Sequence, residues 1–169
     1  RAAANANDFS PERLAEIAEN ERRWSWVEVD LGAIRNNIAV AKRRLKPGCR
    51  LLAVVKADAY GHGSVEVAKT ALSAGASYLA VATVQEGVKL REAGITAPVL
   101  MLSEPPEAAI PLLLNYNIMP SVYTAEFAVA YGEAADAHGL RAPFHLALNT
   151  GMNRIGVRFD EAVEFVRQI

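Results

Sequence analysis

Cysteine is nearly missing from this chain: Cys49 is the only one in 169 residues. No internal disulfide can form, and nothing in the cysteine content argues for an oxidising compartment. Neither sign of charge is in excess. The formal net charge is −1, which offers no electrostatic footprint for nucleic acid or an anionic membrane surface. No apolar run approaches the roughly 20 residues needed to cross a bilayer. A phosphate-cradling G-x-G-x-x-G loop is also lacking, because Gly61-His62-Gly63 does not carry its continuation. Nor is there an initiator methionine. Arg1 leads into the small, polar stretch Ala2 to Asp8, which reads as processing or as a segment cut from something larger. A cleaved export signal and an artificial start look alike here.

What is present is apolar and periodic. Hydrophobic residues make up 51% of the chain, enough to bury a core at a length that ordinarily makes one domain. Strand-like runs recur at Arg50–Lys56, Tyr78–Thr83, Pro98–Ser103, Ile118–Tyr123 and Phe144–Asn149. Between them lie stretches with helical spacing: Val65–Ser73, Val84–Ala93, Ala108–Leu114 and Ala125–His138. Each closes near Gly75, Gly94, Asn115 or Gly139. A last helix is expected over Asp160–Ile169, with Asp160 as its cap. Strand and helix alternate about every 20–28 residues, the pattern of parallel strands joined by right-handed crossovers.

Two architectures fit. A doubly wound sheet would want a phosphate fingerprint at its first turn, and that signal is weak. A (β/α)8 TIM-type barrel needs eight units and usually about 250 residues. This chain supplies about five, so the barrel reading makes it a partial barrel with an exposed edge at its last strand.

Two features precede the repeat. Ser10-Pro11-Glu12 resembles a helix start, with Ser10 as cap, and the helix should run to about Glu21. A strand is expected over Trp24–Asp30, after which Asp30 caps a helix over Leu31–Leu45. Residues 1–23 thus form an appendage and 24–169 the partial barrel.

The most telling stretch is Leu51-Leu52-Ala53-Val54-Val55-Lys56-Ala57-Asp58-Ala59-Tyr60-Gly61-His62-Gly63. Apolar residues deliver one cation to the end of a strand, and a glycine-punctuated turn comes next. A lysine against apolar walls loses solvation, so its pKa falls and its amine becomes a nucleophile or base suited to Schiff-base chemistry. Lys42, Lys46, Lys69 and Lys89 all fall in helical, solvated positions; Lys56 alone ends an apolar strand. In a parallel barrel the reactive groups gather at such strand ends, which here are Lys56, Thr83, Ser103, Tyr123 and Asn149.

The run Val54 to Gly63 resembles the pyridoxal-phosphate lysine motif of bacterial alanine racemases. A second block, Phe144 to Gly156, resembles the same family's motif in which a threonine-glycine-methionine turn (Thr150-Gly151-Met152) precedes an arginine and a glycine. The resemblance covers roughly Trp26 to Ile169 and less than half of a whole racemase. It implies interconversion of L- and D-alanine through a pyridoxal 5′-phosphate aldimine and two-base proton transfer, supplying D-alanine for peptidoglycan. It gives Lys56 the cofactor and the base on the D-alanine side, Tyr60 a phosphate contact and Arg154 the substrate carboxylate. It assigns no metal. His62 is left out of catalysis, as a polar turn residue or a partner behind the reacting groups.

The family's opposite base is a tyrosine of its C-terminal β domain, donated across a homodimer interface, and no residue here matches it. Tyr78, Tyr116, Tyr123 and Tyr131 read as packing residues. The chain alone is therefore expected not to racemise. Gln85-Glu86-Gly87 and Leu90-Arg91-Glu92-Ala93-Gly94 also look family-like, with Glu86 and Arg91 read as surface groups of little individual weight.

The second block departs from the usual pattern. Many alanine racemases carry a carbamylated lysine at the position of Ala147 and an aspartate at that of Asn149. Both are neutral here, so another anion, such as chloride, would have to orient Arg154. Ala147-Leu148-Asn149 resembles the broad-spectrum racemases, which are often exported, whereas the intact turn points back to alanine. The expected compartment is cytoplasmic, with export or a membrane-anchored parent, as in serine/alanine racemases, as the alternative. Rival readings are a barrel relative serving pyridoxal-phosphate homeostasis, a basic amino-acid decarboxylase, and a non-catalytic half-barrel that dimerises through its open edges.

Overall fold

In the computed structural model, residues 10–20 and 27–169 are described. Ser10 Oγ accepts the Arg13 N–H at 3.3 Å and starts α1 (Pro11–Asn20). Asp30 caps α2 (Leu31–Arg43), its carboxylate taking the Ala33 N–H at 3.0 Å. Of the strand expected over Trp24–Asp30, residues 24–26 lie outside the described residues. Residues 27–30 have no ladder partner among those described.

Five parallel strands come next in strict sequence order: β1 (Leu52–Val54), β2 (Tyr78–Val81), β3 (Val99–Met101), β4 (Ile118–Val122) and β5 (His145–Leu146). A doubly wound sheet reverses its order at a switch point. This one does not, so the order β1-β2-β3-β4-β5 decides for an arc of a barrel. The connecting helices are α4 (Ser64–Ser73), α5 (Val84–Glu92), α6 (Ile110–Asn115) and α7 (Ala125–Ala137), and the short α3 (Lys56–Gly61) sits directly after β1.

Period-two alternation splits the sheet into two faces. Leu79 and Val81, Val99 and Met101, and Ile118 and Val122 point to the helices, where they are buried with Leu90, Leu113, Phe127 and Tyr131. The Tyr131 ring stacks on Phe127 at 5.9 Å between centroids, and burial pushes its hydroxyl up to about 12. Tyr131 is thus a core residue, as its position implied. The opposite face carries Val54, Ala80, Leu100 and Met119 in one row across the ladders. Val54, on the first strand, is 39% exposed.

Two expectations near the C-terminus need correction. The run Phe144–Asn149 is not one strand: Ala147 separates β5 from β6 (Leu148–Asn149), which leaves the main sheet and pairs with β7 (Val157–Arg158). Asp160 does not cap the final helix α8 (Ala162–Gln168), because its carboxylate is taken by Arg158 at 2.6 Å.

Arg91 is the larger correction. It is no loose surface cation. Its guanidinium donates to the carbonyls of Ile95 (2.8 Å), Ala97 (2.7 Å), Tyr116 (2.8 Å) and Asn117 (2.9 Å). A planar fork of donors can serve four acceptors at once, and an ammonium cannot. The side chain thereby fastens the end of α5 to the chain entering β3 and β4, at the face of the arc opposite Lys56. Burial lowers its pKa, yet the group keeps its charge at any working pH. Arg91→Ala should cost about 2–3 kcal/mol of stability by stranding those carbonyls, a Tm drop of roughly 4–12 °C by calorimetry at this chain length. Arg91→Lys should recover only part of it.

Candidate active site

Five apolar residues carry the chain through β1, and the Val55 N–H still donates to Ala80 O at 2.8 Å. Lys56 is therefore presented, half-buried, where the ladder stops. The backbone beyond it is unusual. Ala57, Asp58, Ala59 and Tyr60 all have φ between 51° and 56° and ψ between 39° and 48°, a left-handed helical turn built without glycine. Each such residue costs about 1–2 kcal/mol, so neighbouring contacts must hold the turn in place.

Two carboxylates hold it. Glu86, in the first turn of α5, accepts the Ala57 N–H through Oε1 at 2.7 Å. Through Oε2 it accepts the N–H groups of Ala82 at 2.7 Å and Thr83 at 3.2 Å, while Thr83 Oγ1 takes the Glu86 N–H at 3.3 Å. Asp58 Oδ1 accepts from Lys89 Nζ at 2.7 Å and from both the N–H and the hydroxyl of Ser64 at 2.9 Å. Ala59 is buried beneath the turn, and its N–H donates to Val55 O at 2.9 Å. His62 Nδ1 lies 2.9 Å from Ala59 O and 3.2 Å from Tyr60 O. Both neighbours are acceptors, so Nδ1 carries the proton and His62 closes the turn.

The Tyr60 side chain, four residues after Lys56, stands 60% exposed. Among the described residues, neither its hydroxyl nor the Lys56 amine has a hydrogen-bond partner. Arg154 is likewise exposed and unpaired in the loop between β6 and β7. Asn149 organises that loop, its Oδ1 accepting the N–H groups of Gly151 and Asn153 at 3.1 Å while its Nδ2 donates to Asn153 Oδ1 at 2.9 Å. Gly156 then crosses the backbone so closely that a Cβ there would meet Asn149 N and Leu148 C at 2.8 Å. The fold brings Lys56 and Tyr60 onto one turn. Arg154 lies on the separate β6–β7 ladder, which follows the last strand of the main sheet.

The remaining strand ends are structural. Ser103 Oγ donates to Ala82 O at 3.1 Å. Glu104 takes the N–H groups of Tyr123 (2.7 Å) and Thr124 (2.9 Å) and the Thr124 hydroxyl (2.6 Å). Thr83, Gln85, Ser103, Glu104 and Pro106 line a cleft of about 450 Å³ at this end of the sheet. Reading residues singly missed the part Glu86 plays. The pattern Thr83-Val84-Gln85-Glu86 is a capping box and could have placed its carboxylate at the start of α5. Nothing local signals its reach to Ala57.

A family model described as "Alanine racemase, N-terminal domain" matches residues 29–169. The chain belongs to the alanine racemase family. It is 44% identical over 149 residues to an alanine racemase of Nostoc sp., covering 86% of this chain and 38% of that protein. Among solved structures, alanine racemase from E. faecalis superposes with a TM-score of 0.76 at 40% identity, over 82% of this chain and 38% of that one. A histidine racemase from Leuconostoc mesenteroides subsp. sake superposes with a TM-score of 0.74 at 29% identity, over 82% and 37%. The chain thus spans less than two-fifths of these relatives, and the part it spans is a partial barrel of about five units.

The Asp58 clamp makes a pH prediction. The hydrogen bond from Lys89, then those from Ser64, hold its carboxyl at about 2, below the ordinary 3.8. A depressed folded-state pKa gives stability that is complete above about pH 4 and is lost as pH falls from 3.8 through 2. Asparagine tolerates left-handed backbone, so Asp58→Asn isolates the charge. Urea titrations across that window should show a shallower loss of stability in the variant; equal slopes would remove Asp58 from the acid response.

Proposed function

We propose that this chain carries the cofactor-lysine portion of an amino-acid racemase active site, with alanine as substrate. The observation that carries the reading is the presentation of Lys56: a half-buried residue with an unpaired amine at the end of β1, fixed by a clamped left-handed turn that also bears Tyr60.

The residues present fit pyridoxal phosphate. Lys56 offers an amine with no competing partner for a covalent link to its aldehyde carbon, and Tyr60 offers a hydroxyl able to donate to a phosphate oxygen. Val54, exposed on the same sheet face, provides apolar surface beside them. When bound, the cofactor supplies the electron sink that stabilises the α carbanion of the amino acid. The protein's own part is orientation and proton transfer. The Lys56 amine would take or return the α proton on the D-alanine side through Nζ. Arg154 orients the carboxylate with its fork of donors. The base for the opposite face and the remaining phosphate contacts belong to parts of the complete homodimeric enzyme that no residue of this chain matches, so racemisation requires those parts.

One observation favours a wider substrate range. Ala147 is apolar and Asn149 spends its side chain inside the 149–153 turn, so neither gives Arg154 an anionic partner. A broad-spectrum or serine/alanine racemase is the second reading. Turnover of a panel of amino acids by the completed enzyme separates the two.

The deciding experiment incubates the chain with pyridoxal phosphate, reduces with borohydride and maps the labelled peptide by mass. One pyridoxyl group on Lys56 is expected. Lys56→Ala should abolish it, and Tyr60→Phe should weaken cofactor affinity roughly tenfold, the loss of one charge-assisted hydrogen bond. A folded chain that takes no label, or spreads it over Lys42, Lys46 and Lys69, would refute the reading.

A further inference from the structure

We infer that Glu86 is a positioning residue for Lys56, acting through the Ala57 N–H. The inference rests on Lys56 as the cofactor lysine and adds a residue to that site that touches neither cofactor nor substrate.

The argument comes from how the two oxygens of one carboxylate are divided. A capping box needs only a reciprocal bond between the first residues of its own helix. In α5 that duty falls entirely to Oε2, which accepts from Ala82 and Thr83. Oε1 is left over, and it crosses to the neighbouring strand end to accept the Ala57 N–H at 2.7 Å. That distance is short, as expected for a bond to an ionised acceptor. Ala57 is the residue directly after Lys56 and the first with positive φ, at 51°. An extended backbone at Ala57 would relieve its share of the strain and swing the Lys56 Cα out of line. The bond to Oε1 opposes that relaxation at the point where it would begin. The Asp58 clamp grips the turn one residue further on, through Lys89 and Ser64, so the proximal end depends on Glu86.

The division of labour also supplies the test. In Glu86→Gln the amide oxygen can replace Oε2 at the cap, but its NH₂ then faces the Ala57 N–H, donor against donor. Thr83→Val removes the other half of the capping box and leaves the Ala57 bond intact. Thr83→Val weakens the cap of α5 and Glu86→Gln largely spares it, yet only Glu86→Gln should disturb Lys56. Both are prepared in the full 169-residue chain, matched by circular dichroism and thermal melting, and exposed to pyridoxal phosphate with timed borohydride quenching. Labelling of Lys56 is read against Lys42, Lys46 and Lys69 of the same molecule. Glu86→Gln should slow Lys56 labelling on the order of tenfold or more relative to those lysines, the scale expected when a reacting group is displaced by about an ångström. Thr83→Val should leave the ratio unchanged. Hydrogen exchange at the Ala57 amide, measured without cofactor, should accelerate in Glu86→Gln alone. If that variant does not fold, Glu86→Asp takes its place, since its shorter arm serves the nearby cap amides but not Ala57.

Equal Lys56 labelling in wild type and Glu86→Gln overturns the inference, as does equal slowing by Thr83→Val, which would reduce Glu86 to a helix cap. A wild-type chain with no preference for Lys56 removes the functional reading instead, and the inference with it. Ala57 exchange then still reports whether Glu86 holds the turn.

Discussion

Four consecutive residues in left-handed conformation are expensive, and none of the four is glycine. A chain left to local preference would extend or coil the other way within the first step. The turn after Lys56 is therefore held by contacts outside its own four residues: Oε1 of Glu86 on Ala57, Lys89 and Ser64 on Asp58, and the burial of Ala59. Strain concentrated beside a reactive group is a recurring property of functional sites. Here its outcome is geometric, because the lysine and the tyrosine are carried on one short arc whose direction is fixed by the next helix.

The two ends of the sheet are held by different means. At the end where strands give way to helices, carboxylates collect backbone N–H groups, Glu86 at the β1 and β2 junctions and Glu104 at the β4 junction. At the other end, one guanidinium collects carbonyls from the chain entering β3 and β4. Parallel strands leave such groups unpaired at their ends, and each buried group needs a partner. The sign of the partner is set by the group presented. The first end is where loops and side chains converge in such barrels, and it is there that the proposed site lies.

Much of this was legible in the amino-acid order. Strand and helix alternation gave the parallel arc, Asp30 and Ser10 announced their helices, and the apolar approach to Lys56 singled it out among five lysines. What escaped shares one cause. Glu86 and Arg91 look like ordinary members of a surface helix because helical spacing describes only that helix, and both act across to other elements. The backbone of Ala57 to Tyr60 was also hidden. Alanine and tyrosine have no preference for that conformation, so the contacts impose it and no propensity reveals it. At Phe144–Asn149 an apolar run gave no hint that Ala147 would divide it, because the break is made by the separate pairing of Leu148 and Asn149 with Val157 and Arg158.

The sequential strand order has a consequence for synthesis. Every strand of the main sheet pairs with the one before it, as in Leu52 with Tyr78 and Val99 with Ile118, so no ladder waits for a distant segment. Domains emerge from the ribosome N-terminus first, and connections of this kind keep the loop closed at each step short. The lysine turn needs nothing beyond Lys89 to be complete. It can be locked while Arg154 is still unmade, so this strained turn is also among the earliest parts of the sheet to acquire its supports.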